Sequence, residues 1–270
     1  MAKPQNGKLR TLLSIVTLFI AATIIARGET FDNRQGNFNW KVYDYNASNQ
    51  ALRVRQPFVV NTAGDGGIAF DFLHTPDTAL FMTGHPSYRG DLLGDMRGKT
   101  VTARIGITVT SGTPIYTYFG DPGDCGHIPA NARFYFQTRP SGPFNPSDYW
   151  WSNPINQDLQ VLQTMTSPGG SMEISNMFEP NLWSNYFGMF GTADPVGWDH
   201  AASNVVAIGL SFGGGCFFEN GVGIIPGTGS ANFRLMDYSA DPPGLIDPLA
   251  QIVPELVLAP FVNPTLIWLP

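Results

Sequence analysis

The stretch KTVTARIGITVT, residues 99–110, decides the fold class. Val101, Ala103, Ile105, Ile107 and Val109 are apolar, with Thr100, Thr102, Arg104 and Thr108 between them. Side chains on a strand point alternately to its two faces. A period of two therefore buries one face and leaves the other wet, as in an antiparallel sandwich. Comparable stretches recur between glycine and proline turn signals: FNWKVYDY (38–45), RQPFVV (55–60), GGIAFDFL (66–73), TALFMTG (78–84), PIYTYFG (114–120), ARFYFQTR (132–139), DLQVLQTM (158–165), NVVAIGLSF (204–212), GCFFENGVGI (215–224) and SANFRLMDYS (230–239). They predict a single all-β domain over residues 29–240, an antiparallel β-sandwich of jelly-roll type with at most one or two short helices. The best helical candidate is NMFEPNLWSNYFGMF (176–190), where Pro180 can open a short helix through Phe187.

Composition agrees with that class. Charged residues make up 13% of the chain, against about 25% in ordinary soluble domains, while glycine, proline and aromatics are plentiful. Residues 1–28 have a basic start (Lys3, Lys8, Arg10), an apolar stretch from Leu12 to Ile25, and the small-residue pattern Ala26-Arg27-Gly28. This is the layout of a cleaved secretory signal peptide, with an uncleaved anchor as the alternative. Cleavage would remove four cations and no anion, taking the formal charge from −6 to −10. Such a chain, without a basic cluster, is a poor partner for nucleic acid or an anionic membrane. The expected location is extracellular or periplasmic.

Two cysteines in an exported chain point to one disulfide, Cys125 to Cys216. Closing a loop of about 90 residues would contribute about 4 to 5 kcal/mol in the chain-entropy model, less any native strain. Zinc is the rival reading, but the paired C-x-x-C spacing is missing. After residue 240 the chain becomes DPPGLIDPLAQIVPELVLAPFVNPTLIWLP, a proline-interrupted apolar tail over 241–270. Proline at that density prevents a membrane-spanning helix, so the tail is expected to lie on the sandwich or await a partner.

Several motifs invite a catalytic reading. Gly209, Ser211 and Gly213 in VVAIGLSFGGG (205–215) spell G-x-S-x-G. A nucleophile elbow, however, needs a following helix and a histidine later in the chain. The residues after Gly213 lack helical period, and the last histidine is His200. Glu173 and Glu179 lie six apart, which does not supply the close carboxylate pair of a retaining glycosidase. His74, His85, His127 and His200 show no metal-binding spacing. Asp91 and Asp95 in YRGDLLGDMRG, and Asp121 and Asp124 in GDPGDCG, can contribute oxygens to calcium but equally form turns. Asn46-Ala47-Ser48 is a formal glycosylation sequon.

Aromatic density stands out between residues 144 and 198, in FNPSDYWWSNP, NLWSNYFGMF and GWDH. Trp150 and Trp151, adjacent on a strand, should face opposite sides of the sheet. Flat rings beside Asn, Asp and Ser suit sugar stacking with directional hydrogen bonds, which makes Tyr149, Trp150, Trp151, Trp183 and Trp198 the candidate ligand residues. The alternative is that they fill the core.

The segment FLHTPDTALFMTGHPSYRGDLLGDMRGKTVTARIGI (72–107), with Gly90-Asp91, Gly94-Asp95 and Gly98-Lys99-Thr100-Val101, resembles laminin IV-like and other galactose-binding-like jelly-rolls. ANFRLMDYS (231–239) is similar to their closing strand. The resemblance implies a non-enzymatic extracellular binding or structural domain. The leading expectation is thus an exported binding module for glycan or another surface ligand. A structural or adhesive matrix component is the alternative, and a polysaccharide-cleaving enzyme is less favoured.

Overall fold

The computed structural model describes residues 31, 39–46, 51–55, 61–62, 67–118, 128–139, 144–153, 157–214 and 221–241. The expected signal peptide, Cys125, Cys216, Asp121, Asp124, His127 and the tail beyond residue 241 lie outside the described residues, as does the side chain of Asn46.

In chain order the elements are β1 (Trp40–Asn46), β2 (Ala51–Val54), β3 (Asn61–Thr62), β4 (Ile68–Asp71), β5 (Thr78–Thr83), β6 (Thr100–Gly112), β7 (Tyr116–Tyr118), β8 (Asn131–Thr138), β9 (Tyr149–Ser152), β10 (Gln157–Asp158), α1 (Leu159–Thr166), β11 (Met172–Met177), β12 (Trp183–Asn185), α2 (Pro195–Ala202), β13 (Val205–Gly213), β14 (Val222–Ile224) and β15 (Gly229–Asp241). They form an all-β sandwich. A ten-stranded sheet runs β12-β9-β8-β13-β5-β1-β2, with β10, β14 and β7 attached; a five-stranded sheet runs β11-β6-β15-β4-β3. Every pairing between these strands is antiparallel.

The alternation of residues 99–110 is realised on β6. Val101, Ala103, Ile105 and Ile107 are fully enclosed, and Arg104 is exposed, donating to Asp237 at 2.7 Å. Facing them across the core are Phe134 and Phe136 of β8, Ile208, Leu210 and Phe212 of β13, and Phe81 of β5. A bulge between Leu235 and Asp237 shifts the period of β15, so that Phe233 and Leu235 before it and Tyr238 after it all reach the core.

Two local expectations are corrected. DLQVLQTM, read as a strand, is helix α1. The Asp158 carboxylate caps it by accepting the N–H groups of Gln160 and Val161 at 2.7 and 3.1 Å. Leu159, Leu162, Gln163 and Thr166 then fall on its buried side at helical spacing. Conversely, the stretch around Pro180 is not helical. It turns from β11 into β12, where pairing with β9 in the register Trp183↔Ser152 delivers the Trp183 ring to the core. The second helix, α2, starts only at Pro195, well beyond the end of β12, with Asp194 accepting from the Gly197 N–H at 3.1 Å and Pro195 in the first turn. Among the described residues no helix is long and apolar enough to cross a membrane.

Candidate functional site

Strand pairing fixes which rings reach which face. Across the ten-stranded sheet, Trp150 pairs with Phe136 and Trp151 with Tyr135, so the adjacent tryptophans do point to opposite sides. Trp150 faces inward. There Phe136, Trp150, Phe178, Trp183 and Trp198 pack ring against ring, with centroids 5.0 Å apart for Phe136–Trp183, 4.8 Å for Phe178–Trp183 and 5.2 Å for Trp150–Trp198. The indole N–H groups are satisfied internally: Trp150 donates to the Ser147 carbonyl at 2.7 Å and Trp183 to the Met177 carbonyl at 2.8 Å. Trp150, Trp183 and Trp198, expected as ligand-facing rings, are therefore enclosed between the sheets, where they belong to the main apolar core.

Trp151 belongs to a second, smaller cluster on the outer face, with Ala79, Leu80, Met82, Tyr135 and Ala207. Its indole N–H donates to Ser211 Oγ at 3.0 Å, and both groups are buried. This defines the role of G-x-S-x-G. Ser211 lies inside β13 rather than on a strand-to-helix turn, and its hydroxyl is the acceptor for a packed indole. Gly209 is needed for another reason: a Cβ there would sit 2.2 Å from the Phe81 carbonyl oxygen and 2.6 Å from Met82 Cα on the neighbouring strand.

Around this cluster stand half-buried tyrosines from both sides of the sheet: Tyr43 and Tyr45 of β1, Tyr149 of β9 and Tyr186 after β12. Between them the outward positions of β5 and β13 are small or aliphatic: Leu80 and Met82, and Ala207, Gly209 and Ser211. Tyr43 and Tyr149 lie near enough to Tyr135, and Tyr186 to Tyr45, to act on them electrostatically. Burial pushes Tyr135 well above the usual phenol range, helped by repulsion from Tyr149 and Tyr43. Burial also raises Tyr43, and raises Tyr45 with a contribution from Tyr186; Tyr149 is raised by burial and by Asp148. The Tyr135 hydroxyl donates to Gln137 Oε1 at 2.7 Å.

The cluster continues outward as a ladder of rings. Tyr135 meets Trp151 at 5.1 Å, Trp151 meets Tyr186 at 6.3 Å, and Tyr186 meets Phe144 edge-on at 4.9 Å. Phe144 in turn stacks on Tyr149, with centroids 5.8 Å apart and planes at 15°. Phe144 is 59% exposed and Phe187, beside Tyr186, is 61% exposed. Sequence reasoning named Tyr149, marked the segments that hold Phe144 and Tyr186 without naming those two residues, and missed Tyr43 and Tyr45. The available signal was strand parity: Tyr43 and Tyr45 alternate with Val42 and Asp44 in a strand whose Trp40 faces inward.

The other candidates are dispersed. Asp95 is bound by Arg97 at 2.7 Å, and that arginine also reaches Asp199 at 2.6 Å. The backbone carbonyl of Asp91 accepts from Lys99 Nζ at 3.3 Å. Glu173 is exposed opposite Arg104, and Glu179 lies beyond the end of β11. His74, His85 and His200 are exposed; His85 caps a short turn through the Ser87 N–H. Among the described residues no three His, Cys, Asp or Glu side chains gather where they could hold a metal ion.

No family model matches the chain, and no curated protein matches it. Among solved structures it is similar to a chain of botulinum neurotoxin type C, which enters cells in a manner dependent upon interaction with two ganglioside molecules. Identity is 9% and the TM-score 0.29, over 76% of this chain and 48% of that one. The chain spans less than half of that structure, and at this TM-score the likeness carries no argument.

Proposed function

We propose that this chain is an exported, non-catalytic glycan-binding module whose ligand lies on the tyrosine-rimmed outer face of the ten-stranded sheet. The observation that carries the reading is the ring ladder of Tyr135, Trp151, Tyr186, Phe144 and Tyr149, which runs from a buried anchor to exposed faces. A sugar ring offers a flat C–H surface edged with hydroxyls. Half-buried tyrosines offer a matching apolar face and a hydroxyl at its margin, held rigid by the packing beneath. Rigidity matters because little side-chain entropy is then lost on binding. Catalysis is given no part, since Ser211 is packed against Trp151 and the glutamates lie apart from the ladder.

The test is to express residues 29–270 through an oxidising route and challenge the protein with a panel of plain polysaccharides, with and without calcium. Retention and release of reducing ends are both followed. Retention without release is the expected result; release of reducing ends overturns the non-catalytic reading. A second reading, assembly into a matrix, is favoured by Phe187, Met189, Phe190 and Val196, which are 61%, 43%, 44% and 82% exposed. It predicts a change in oligomeric state when residues 241–270 are removed.

A further inference from the structure

Eight arginines fall among the described residues, and six of them are engaged. Arg55 binds Asp44, Arg97 binds Asp95 and Asp199, and Arg104 binds Asp237. Arg234 donates to the Gly170 carbonyl, and Arg53 and Arg133 also have partners. Arg89 and Arg139 have no hydrogen-bond or ion-pair partner for their side chains among the described residues. These two, from segments fifty residues apart, line the same recess of about 320 Å³, together with Thr138, His200, Asn204 and Val206.

Local structure explains the convergence. Arg89 follows a short 3-10 turn, Pro86–Tyr88, capped by His85, and its backbone is held by a bridge to Leu93. Arg139 immediately follows β8 and continues the outward parity of Tyr135 and Gln137. The Thr138 hydroxyl donates to the Asn204 carbonyl at 2.9 Å, tying the end of β8 to the approach to β13. His200 comes from the last turn of α2. No carboxylate lines the recess among the described residues. The chain carries a net charge of −6, with fewer cations than anions to share. Two exposed guanidinium groups that line one recess without a carboxylate keep their donors available to an oxyanion.

We infer that this recess binds the oxyanion of an acidic glycan, a sugar carboxylate or sulfate ester. The inference rests on the glycan-binding reading above and adds the ligand's charge. Gln137 pairs with Tyr149 across β8 and β9, and Arg139 lies two residues beyond Gln137. The recess thus adjoins the end of the aromatic ladder. One residue of a polysaccharide would stack on the rim while the anionic group of a neighbouring residue enters between the arginines. Their planar forks match the paired oxygens of carboxylate or sulfate, and the Asn204 amide adds a neutral donor.

The probes are matched pairs: dextran sulfate with dextran, and polygalacturonate with its methyl-esterified form. Each is measured by affinity electrophoresis and calorimetry. The wild-type chain is expected to bind a charged member at least tenfold more tightly than its neutral counterpart. Arg89→Gln/Arg139→Gln should remove that preference and leave residual binding to the neutral polymer. Arg104→Gln, which removes a cation from the five-stranded sheet, should keep the preference. Dextran sulfate alone being favoured assigns a sulfate ester; polygalacturonate alone, a carboxylate. Equal binding within both pairs overturns this inference but not the glycan-binding reading. A preference that survives the recess variant, or that the control variant loses equally, does the same. Retention of no polymer overturns both.

Discussion

Ser211→Ala gives a sharp test of how the outer face is built. The substitution removes one oxygen and leaves the Trp151 indole N–H without its acceptor 3.0 Å away, at a position where both residues are buried. An orphaned buried donor costs about 1 to 3 kcal/mol, and the void left by one hydroxyl adds little. For a domain of this size that corresponds to a Tm lowered by about 4 to 8 °C for a 2 kcal/mol loss. Trp151→Phe removes the donor instead, and the double variant removes both. The two effects should therefore be coupled by about 1 kcal/mol or more rather than add. Urea unfolding followed by intrinsic fluorescence supplies all four corners of the cycle. A Ser211→Ala protein within about 0.5 kcal/mol of the parent, with an additive cycle, would refute the assignment. So would loss of an esterase activity at unchanged stability, since that outcome belongs to a nucleophile.

Three further outcomes follow from the same geometry. Gly209→Ala should cost about 3 kcal/mol or abolish folding, because the new methyl group meets backbone atoms of β5 that cannot yield; thermal melting reads this directly. Trp183→Phe should lower stability through lost core packing while leaving polysaccharide retention per folded molecule unchanged, as its ring lies wholly inside. Tyr135 and Tyr238 are held protonated by burial, so the native state keeps these protons more tightly than the unfolded chain does. Their stabilising effect is complete below the ordinary tyrosine value of about 10 and declines above it, by about 1.4 kcal/mol per pH unit for each buried phenol. Ultraviolet titration should show these two ionising only as the protein unfolds in alkali.

The fold was legible in the sequence wherever one strand face was wet. In β6 the threonines and Arg104 marked the outside, and the apolar partners followed. It was less legible where both faces are covered. In β8 and β9 aromatic residues occupy inward and outward positions alike, so composition alone could not separate Trp150 in the core from Trp151 outside it. DLQVLQTM misled because its leucines satisfy a short strand as well as a helix, and the deciding signal was the Asp158 cap. The candidate site was half legible for the same reason. Tyr149 lay in the conspicuous aromatic segment, whereas Tyr43 and Tyr45 lie about 100 residues earlier and join it only through the β1–β5–β13–β8 pairings. The arginine recess gave no local motif, because Arg89 and Arg139 come from different segments of the chain.

The central claim is that the outer aromatic face holds the ligand, and Phe144→Ala/Tyr149→Ala/Tyr186→Ala tests it most directly. These rings are half-buried or exposed, so the folded sandwich should persist, with near-ultraviolet dichroism and melting as the controls. Calorimetry against a polysaccharide retained by the parent protein should then show affinity reduced at least about a hundredfold, since each lost stacking ring is worth about 1 kcal/mol or more. A correctly folded triple variant that binds as tightly as the parent would contradict the account and place the ligand elsewhere on the sandwich.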